Sequence, residues 1–332
     1  MSVVIEDIVT MTSKVPLRSI HRDERDLLAP PHPGTMPMKL WRDHPPLTVV
    51  HFPQQYQAQP FAPPRGVYEN DQIRIEWQTM DNRQPFYHRN CDVDEISYQI
   101  DGERTLMTEL GTIEHRPGEF SRIPRGVAHD NYGRTESHLL FYIPAPVTET
   151  GSAVRTSEAA LPPFPGWQPG QLNEAVTQCM GSLGHDITVF PIDEHALLDR
   201  VDDEHDRMSV FAVGSGSNPL YATDQFRLGT ETFTSERSGI RRYRRTLDAD
   251  EIQYQISGVR TLVTQRGVIE LGPGDFVRIP LGIAHSSLGH DDGAYLSVLS
   301  HRALPQVAET SRTAQSCTPE FLDALAGESS SR

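Results

Sequence analysis

Asp94 to His129 reads DEISYQIDGERTLMTELGTIEHRPGEFSRIPRGVAH, and 156 residues later Asp250 to His285 reads DEIQYQISGVRTLVTQRGVIELGPGDFVRIPLGIAH. Twenty-three of the 36 paired positions are identical without a gap, so the chain contains a duplication. A period this long is a whole domain and not a solenoid unit, which makes two similar domains in tandem the expected organisation. Within each copy, short runs rich in β-branched and aromatic residues (EISYQI, RTLMTEL, EFSRIP; EIQYQI, RTLVTQ, DFVRIP) are cut by DG, LG, RPG, SG, RG and GPG turns. Many short strands punctuated by glycine and proline argue for an all-β protein of two tandem jelly-roll barrels with few short helices.

Working outward, residues 1–45, with PPHPGTMP, read as an extended arm lying over a barrel or a neighbouring subunit. The first barrel is expected over 46–147, a Pro-, Gly-, Ser- and Thr-rich linker over 148–181, and the second barrel over 182–332. Helix is expected only at the edges, in DEHALLDRVDDEHDR between the domains and PEFLDALAG near the C-terminus. A homo-oligomer is expected.

Composition narrows the partners. With 45 acidic against 30 basic residues the net charge is −15, which repels phosphate backbones, and the short run Arg241–Arg245 (RRYRR) is no extended basic face. Nucleic acid and membrane are therefore not expected partners, and no apolar run approaches the ~18 residues that span a bilayer. The first residues lack the basic start and small-residue cleavage site of a secretory signal, so a cytoplasmic protein is expected. Three widely spaced cysteines, Cys91, Cys179 and Cys317, imply neither a disulfide framework nor a thiolate cluster, and Cys91 reads as a small buried filler.

Both copies resemble the cupin superfamily, whose first motif has the form H-x-H-x(3–4)-E-x(6)-G and whose second has the form G-x(5)-P-x-G-x(2)-H. His88, Asn90 in place of the second histidine, Glu95 and Gly102 fit the first; Gly111, Pro117 and His129 fit the second. The stretch FYHRNC, Phe86 to Cys91, followed by Glu95, is similar to the homogentisate 1,2-dioxygenase family. The resemblance implies a metal held by His88, Glu95 and His129. Two imidazoles and one carboxylate can occupy one face of a metal and leave the other positions open, the arrangement of non-haem Fe(II) oxygenases. Fe(II) is the expected cofactor, with Mn, Ni, Zn and Cu as alternatives, and a small phenolic substrate and O2 are the expected partners.

The second copy keeps Glu251 and His285, but Arg244 stands where His88 stands in the first. A guanidinium stays protonated and cannot ligate a cation, so that site is expected to be empty. Arg244 either replaces the metal as counter-charge to Glu251 or points outward within its basic run.

Around the first site, the ungapped alignment sets His138 against Ala294, Asn90 against Thr246, Asp130 against Ser286 and Tyr132 against Leu288. His138 is the candidate acid/base, brought near His129 if a turn at Tyr132 to Thr135 pairs their strands. Asn90 is a candidate second polar group, and Arg89 and Arg83 are candidates to meet a substrate carboxylate. Arg104 and Arg122 recur as Arg260 and Arg278, which favours a structural role. The function expected is dioxygenase cleavage of a hydroxylated aromatic ring. A metal-dependent isomerase, lyase or hydrolase, or a non-catalytic binding bicupin, are the alternatives, because a fold does not determine its reaction.

Overall fold

The computed structural model describes residues 3–29, 45–58, 64–159, 168–180, 185–235, 240–318 and 320–321. It is built of strands, with two helices, Glu24–Leu28 and Glu194–Asp203, among the described residues. Most of the PEFLDALAG stretch lies outside them. No helix among the described residues is long and apolar enough to cross a membrane.

Each repeat forms a two-layered barrel. In the second, one sheet runs Arg18–Asp23, Val3–Val9, Arg242–Thr246, His285–Gly289, Arg260–Thr264, Gly267–Leu271. The other has at its centre Phe226–Phe233, Gly293–Ser300, Asp250–Ser257 and Asp275–Ile279. In the first barrel the same two layers are joined, because Val93–Thr108 and His129–Pro144 are continuous strands of 16 residues that pass from one sheet into the other. The first bends at Gly102, with φ of +69°, where a Cβ would sit 2.4 Å from the Thr135 carbonyl oxygen of the second, so only glycine fits the corner. The turn expected at Tyr132 to Thr135 is therefore an irregularity within one strand, between Arg134 and Ser137, and not a hairpin. His129 and His138 share that strand and do not face each other across a pair.

The two repeats exchange elements reciprocally. Val3–Val9, in the segment expected as an arm, pairs in parallel with Arg242–Thr246 of the second barrel. Gln171–Gln178, in the segment expected as a linker, pairs in parallel with Phe86–Asn90 of the first. Each leads through an antiparallel partner into a short helix capped by an aspartate, Asp23 in one case and Asp193 in the other. The first residue of each helix is a buried glutamate that docks it. Glu24 accepts from the Tyr243 hydroxyl at 2.7 Å and pairs with Arg241; Glu194 accepts from the Tyr87 hydroxyl at 3.0 Å and pairs with Arg83. The exchange continues at the other edge, where Thr48–His51 pairs with Asp275–Ile279 and Ser209–Ala212 pairs with Glu119–Ile123.

Between the barrels lies one apolar core containing Trp77, Tyr98, Phe120, Phe211, Phe226, Tyr254 and Phe276. Tyr98 and its repeat counterpart Tyr254 meet edge to face with ring centres 6.3 Å apart. Neither half has a complete set of strands without the other, so the chain should unfold as one unit. Glu194→Ala removes the acceptor shared by Tyr87 and Arg83 and should lower stability by about 2–3 kcal/mol, the cost of leaving buried donors unmet. Urea unfolding measures it; a loss below about 0.5 kcal/mol would mean that this contact does not hold the exchanged helix.

Candidate metal centre

Three strands of the first barrel converge on one point. His88 on Phe86–Asn90 stands directly opposite His129 at the start of His129–Pro144, with ring centres 3.9 Å apart. Glu95, near the start of Val93–Thr108, brings a carboxylate oxygen to 3.4 Å from His129 Nε2. The bend at Cys91 and Asp92 joins the first and third of these strands and turns Glu95 to the same side as His88. Among the described residues, these are the one group of three such side chains whose ligand atoms all lie within 4.8 Å of one another.

The donors are prepared for a cation. His129 Nδ1 donates to the Val127 carbonyl oxygen at 3.0 Å, which turns Nε2 toward Glu95, and that buried nitrogen has no hydrogen-bond partner. Gln84 places its amide 2.8 Å from His88 Nδ1 and so fixes that ring. Asn90 donates to Glu95 Oε2 at 3.0 Å and is itself held through Oδ1 by the Thr177 hydroxyl at 2.9 Å and the Cys179 thiol at 3.1 Å. Such outer contacts orient ligands and tune their basicity. Burial and the neighbouring His129 push the His88 imidazole down to about 3. Burial alone would raise Glu95, but the adjoining His129 and the Asn90 amide hydrogen bond hold it below the usual carboxylate range. Both side chains are therefore in their metal-binding protonation states at neutral pH. An orphaned imidazole nitrogen on His129, the neutral imidazole of His88 and a buried carboxylate fit a divalent ion.

The remaining candidates separate. Asn90 belongs to the centre as an orienting group. Arg89 does not: successive strand residues point to opposite faces, and its guanidinium is held outside by Glu109 at 2.5 Å, by Glu174 and by the Gly126 carbonyl at 2.8 Å. Arg245 fills the same role in the second barrel with Glu6, Gln265 and Gly282. Arg83 likewise pairs with Asp130 at 2.7 Å and with Glu194, away from the triad. Cys91 is exposed, and it is Cys179 that is buried.

His138 lies inside the barrel but outside the triad. It is buried, with Nδ1 2.9 Å from Glu136 Oε2, and desolvation followed by the Arg104 charge lowers its pKa against the pull of Glu136. Its counterpart also changes. Gln99 pairs with His138 and Gln255 pairs with Tyr295, so Tyr295, and not Ala294, occupies the equivalent place. The ungapped alignment missed this because the second copy has one more residue in the strand break after Gly289.

The second barrel resolves the open choice about Arg244. It pairs in register with His285 and turns inward, donating to Glu231 at 3.1 Å, and its charge is the main influence lowering Glu251 against the effect of burial. His285 Nε2 stays 3.6 Å from Glu251 Oε2.

No family model matches the chain, and no curated protein does. Solved structures resemble its course. A "Cupin 2 conserved barrel domain protein" from Leptotrichia buccalis shares 10% identity with a TM-score of 0.45, over 74% of this chain and 91% of that one. Protein Ylba from E. coli shares 12% identity with a TM-score of 0.45, over 86% of this chain and all of that one. A variant of Bacillus subtilis oxalate decarboxylase shares 12% identity with a TM-score of 0.44, over 82% of each chain.

Protein prepared without oxygen should hold about one divalent transition metal per chain, since one barrel has a complete donor set and the other carries Arg244. Arg244→His should raise the content toward two. Two metals in the parent, by elemental analysis, would contradict the role given to Arg244.

Proposed function

We propose that the chain is a non-haem Fe(II)-dependent dioxygenase that cleaves a hydroxylated aromatic ring. The observation that carries this reading is the two-imidazole, one-carboxylate set of His88, Glu95 and His129, with the buried His129 Nε2 left without a hydrogen-bond partner. Such a set leaves residual positive charge and open positions, which suit a phenolate and dioxygen.

The protein's own part is orientation and proton handling. His88, Glu95 and His129 would hold the iron; iron there would bring substrate and dioxygen together and exchange electrons with them. Gln84, the Val127 carbonyl and Asn90 keep the three ligands in place. His138, lowered in pKa and backed by the Glu136 carboxylate, is a neutral base suited to take the phenol proton. Glu136 in turn is held by the Gln99 amide at 2.8 Å.

The His138–Glu136 pair also suits a metal-dependent isomerase or lyase, where a proton moves and oxygen is not consumed. Oxygen uptake with hydroquinone, gentisate, homogentisate and catechol distinguishes the two: uptake matched to loss of the aromatic chromophore supports ring cleavage, and none with any of the four contradicts it. His88→Ala should lose metal and oxygen uptake while its circular dichroism stays that of the parent. His138→Ala should keep the metal and slow turnover by roughly 10²–10⁴-fold, the usual worth of a positioned base.

A further inference from the structure

Arg104 and Arg260 occupy the same position in the two barrels, and both are fully buried. Their surroundings differ. Arg260 is satisfied on every nitrogen: Nε donates to Gln255 at 2.8 Å, Nη2 to Gln253 at 2.7 Å and Nη1 to Ser287 at 2.5 Å, and the Tyr295 ring lies 4.0 Å beneath the guanidinium. In the first barrel Ser97 replaces Gln253, Asn131 replaces Ser287 and His138 replaces Tyr295. Gln99 is kept, and its amide nitrogen donates to the Asp101 carbonyl as that of Gln255 does to Ser257, with a further bond to Glu136. Arg104 Nε and Nη2 have no hydrogen-bond partner, and neither do Ser97 Oγ, Gln99 Oε1 or Asn131 Oδ1. The guanidinium feels the charge of Glu136 first and of Glu95 after it, and sits on the strand that carries Glu95.

The charges lining the two interiors differ in the same sense. In the second, Arg244 and Arg260 balance Glu231 and Glu251. In the first, Arg74 and Arg104 stand against Glu95, Glu136 and Glu76, whose carboxyl burial pushes up to about 7, and a divalent metal adds positive charge that these carboxylates do not offset in full. An anionic ligand offsets that excess. A buried guanidinium without partners is costly, and a carboxylate, which accepts two parallel N–H bonds, is the group that matches its fork.

We propose that Arg104 anchors a carboxylate on the ligand of the first barrel, so that the substrate is a carboxylate-bearing phenol and not a neutral one. This rests on the reading of that barrel as the metal site, and it names the substrate class for it. Gentisate and hydroquinone, which differ by that carboxylate, are the probes. Bound to the anaerobic Fe(II)-loaded protein and followed by calorimetry, gentisate should bind about 10- to 100-fold more tightly than hydroquinone, the worth of a charge-assisted hydrogen bond. Arg104→Met should abolish that preference and leave hydroquinone binding as it was.

Unfolding of the metal-free proteins gives a readout that needs no ligand. Arg104→Met should be as stable as the parent or more so, whereas Arg260→Met, which strips partners from Gln253, Gln255 and Ser287, should be less stable. Four results would overturn the proposal: a parent that binds neither probe, a parent that binds both within about threefold, an Arg104→Met protein that keeps the preference, or one that fails to fold. An Arg104-dependent preference for gentisate without oxygen uptake would leave the anchor standing and remove ring cleavage.

Discussion

Each barrel buries a carboxylate, Glu95 in one and Glu251 in the other, and a buried carboxylate must be given positive charge or it will take a proton. The two halves solve the same problem differently. The second brings in the fixed charge of Arg244 and pairs its other buried guanidinium, Arg260, with Gln253, Gln255 and Ser287. The first provides two imidazoles, whose nitrogens are donors to a cation only when neutral, and burial keeps the His88 ring neutral. The histidine that stands beside Glu95 where Arg244 stands beside Glu251 is thus the feature on which the metal reading turns.

The second barrel is more than a spent copy. Its repeat supplies Gln171–Gln178, which lies beside the strand carrying His88 and Asn90, and Thr177 and Cys179 from that segment hold the amide that orients Glu95. The site in one half is therefore positioned by the other. Because the exchange is reciprocal, the second barrel depends equally on Val3–Val9, and the aromatic core between them is shared. Loss of the metal-binding histidine in the second copy leaves this scaffold intact, since Arg244 keeps the strand pairing that His88 makes in the first.

Much of this was legible in the sequence. Identity at 23 of 36 positions at a fixed offset gave the two barrels, and the family resemblance of the first copy pointed to His88, Glu95 and His129, which the fold brings together. What was not legible depended on pairing between distant residues. Val3–Val9 and Gln171–Gln178 carry no local mark of the strand they join, so they read as arm and linker. The single extra residue of the second copy falls outside the matched stretch, and without it His138 is set against the wrong partner. Alternation along a strand could have excluded Arg89 once His88 was taken to face inward. Arg104 was hidden by recurrence: the same residue in both copies looks structural until the groups around it are compared, and Ser97 for Gln253 is the substitution that separates them.

The central claim is that the divalent ion sits between His88, Glu95 and His129 and nowhere in the second barrel. Anomalous diffraction from crystals grown anaerobically with the bound metal tests it most directly. The account predicts one strong peak per chain, with nitrogen and oxygen ligands from those three residues at roughly 2.0–2.2 Å as for zinc-type N/O donors, and none between Arg244, Glu251 and His285. A peak of comparable height in the second barrel, or one in the first that leaves His129 Nε2 unligated, would contradict it.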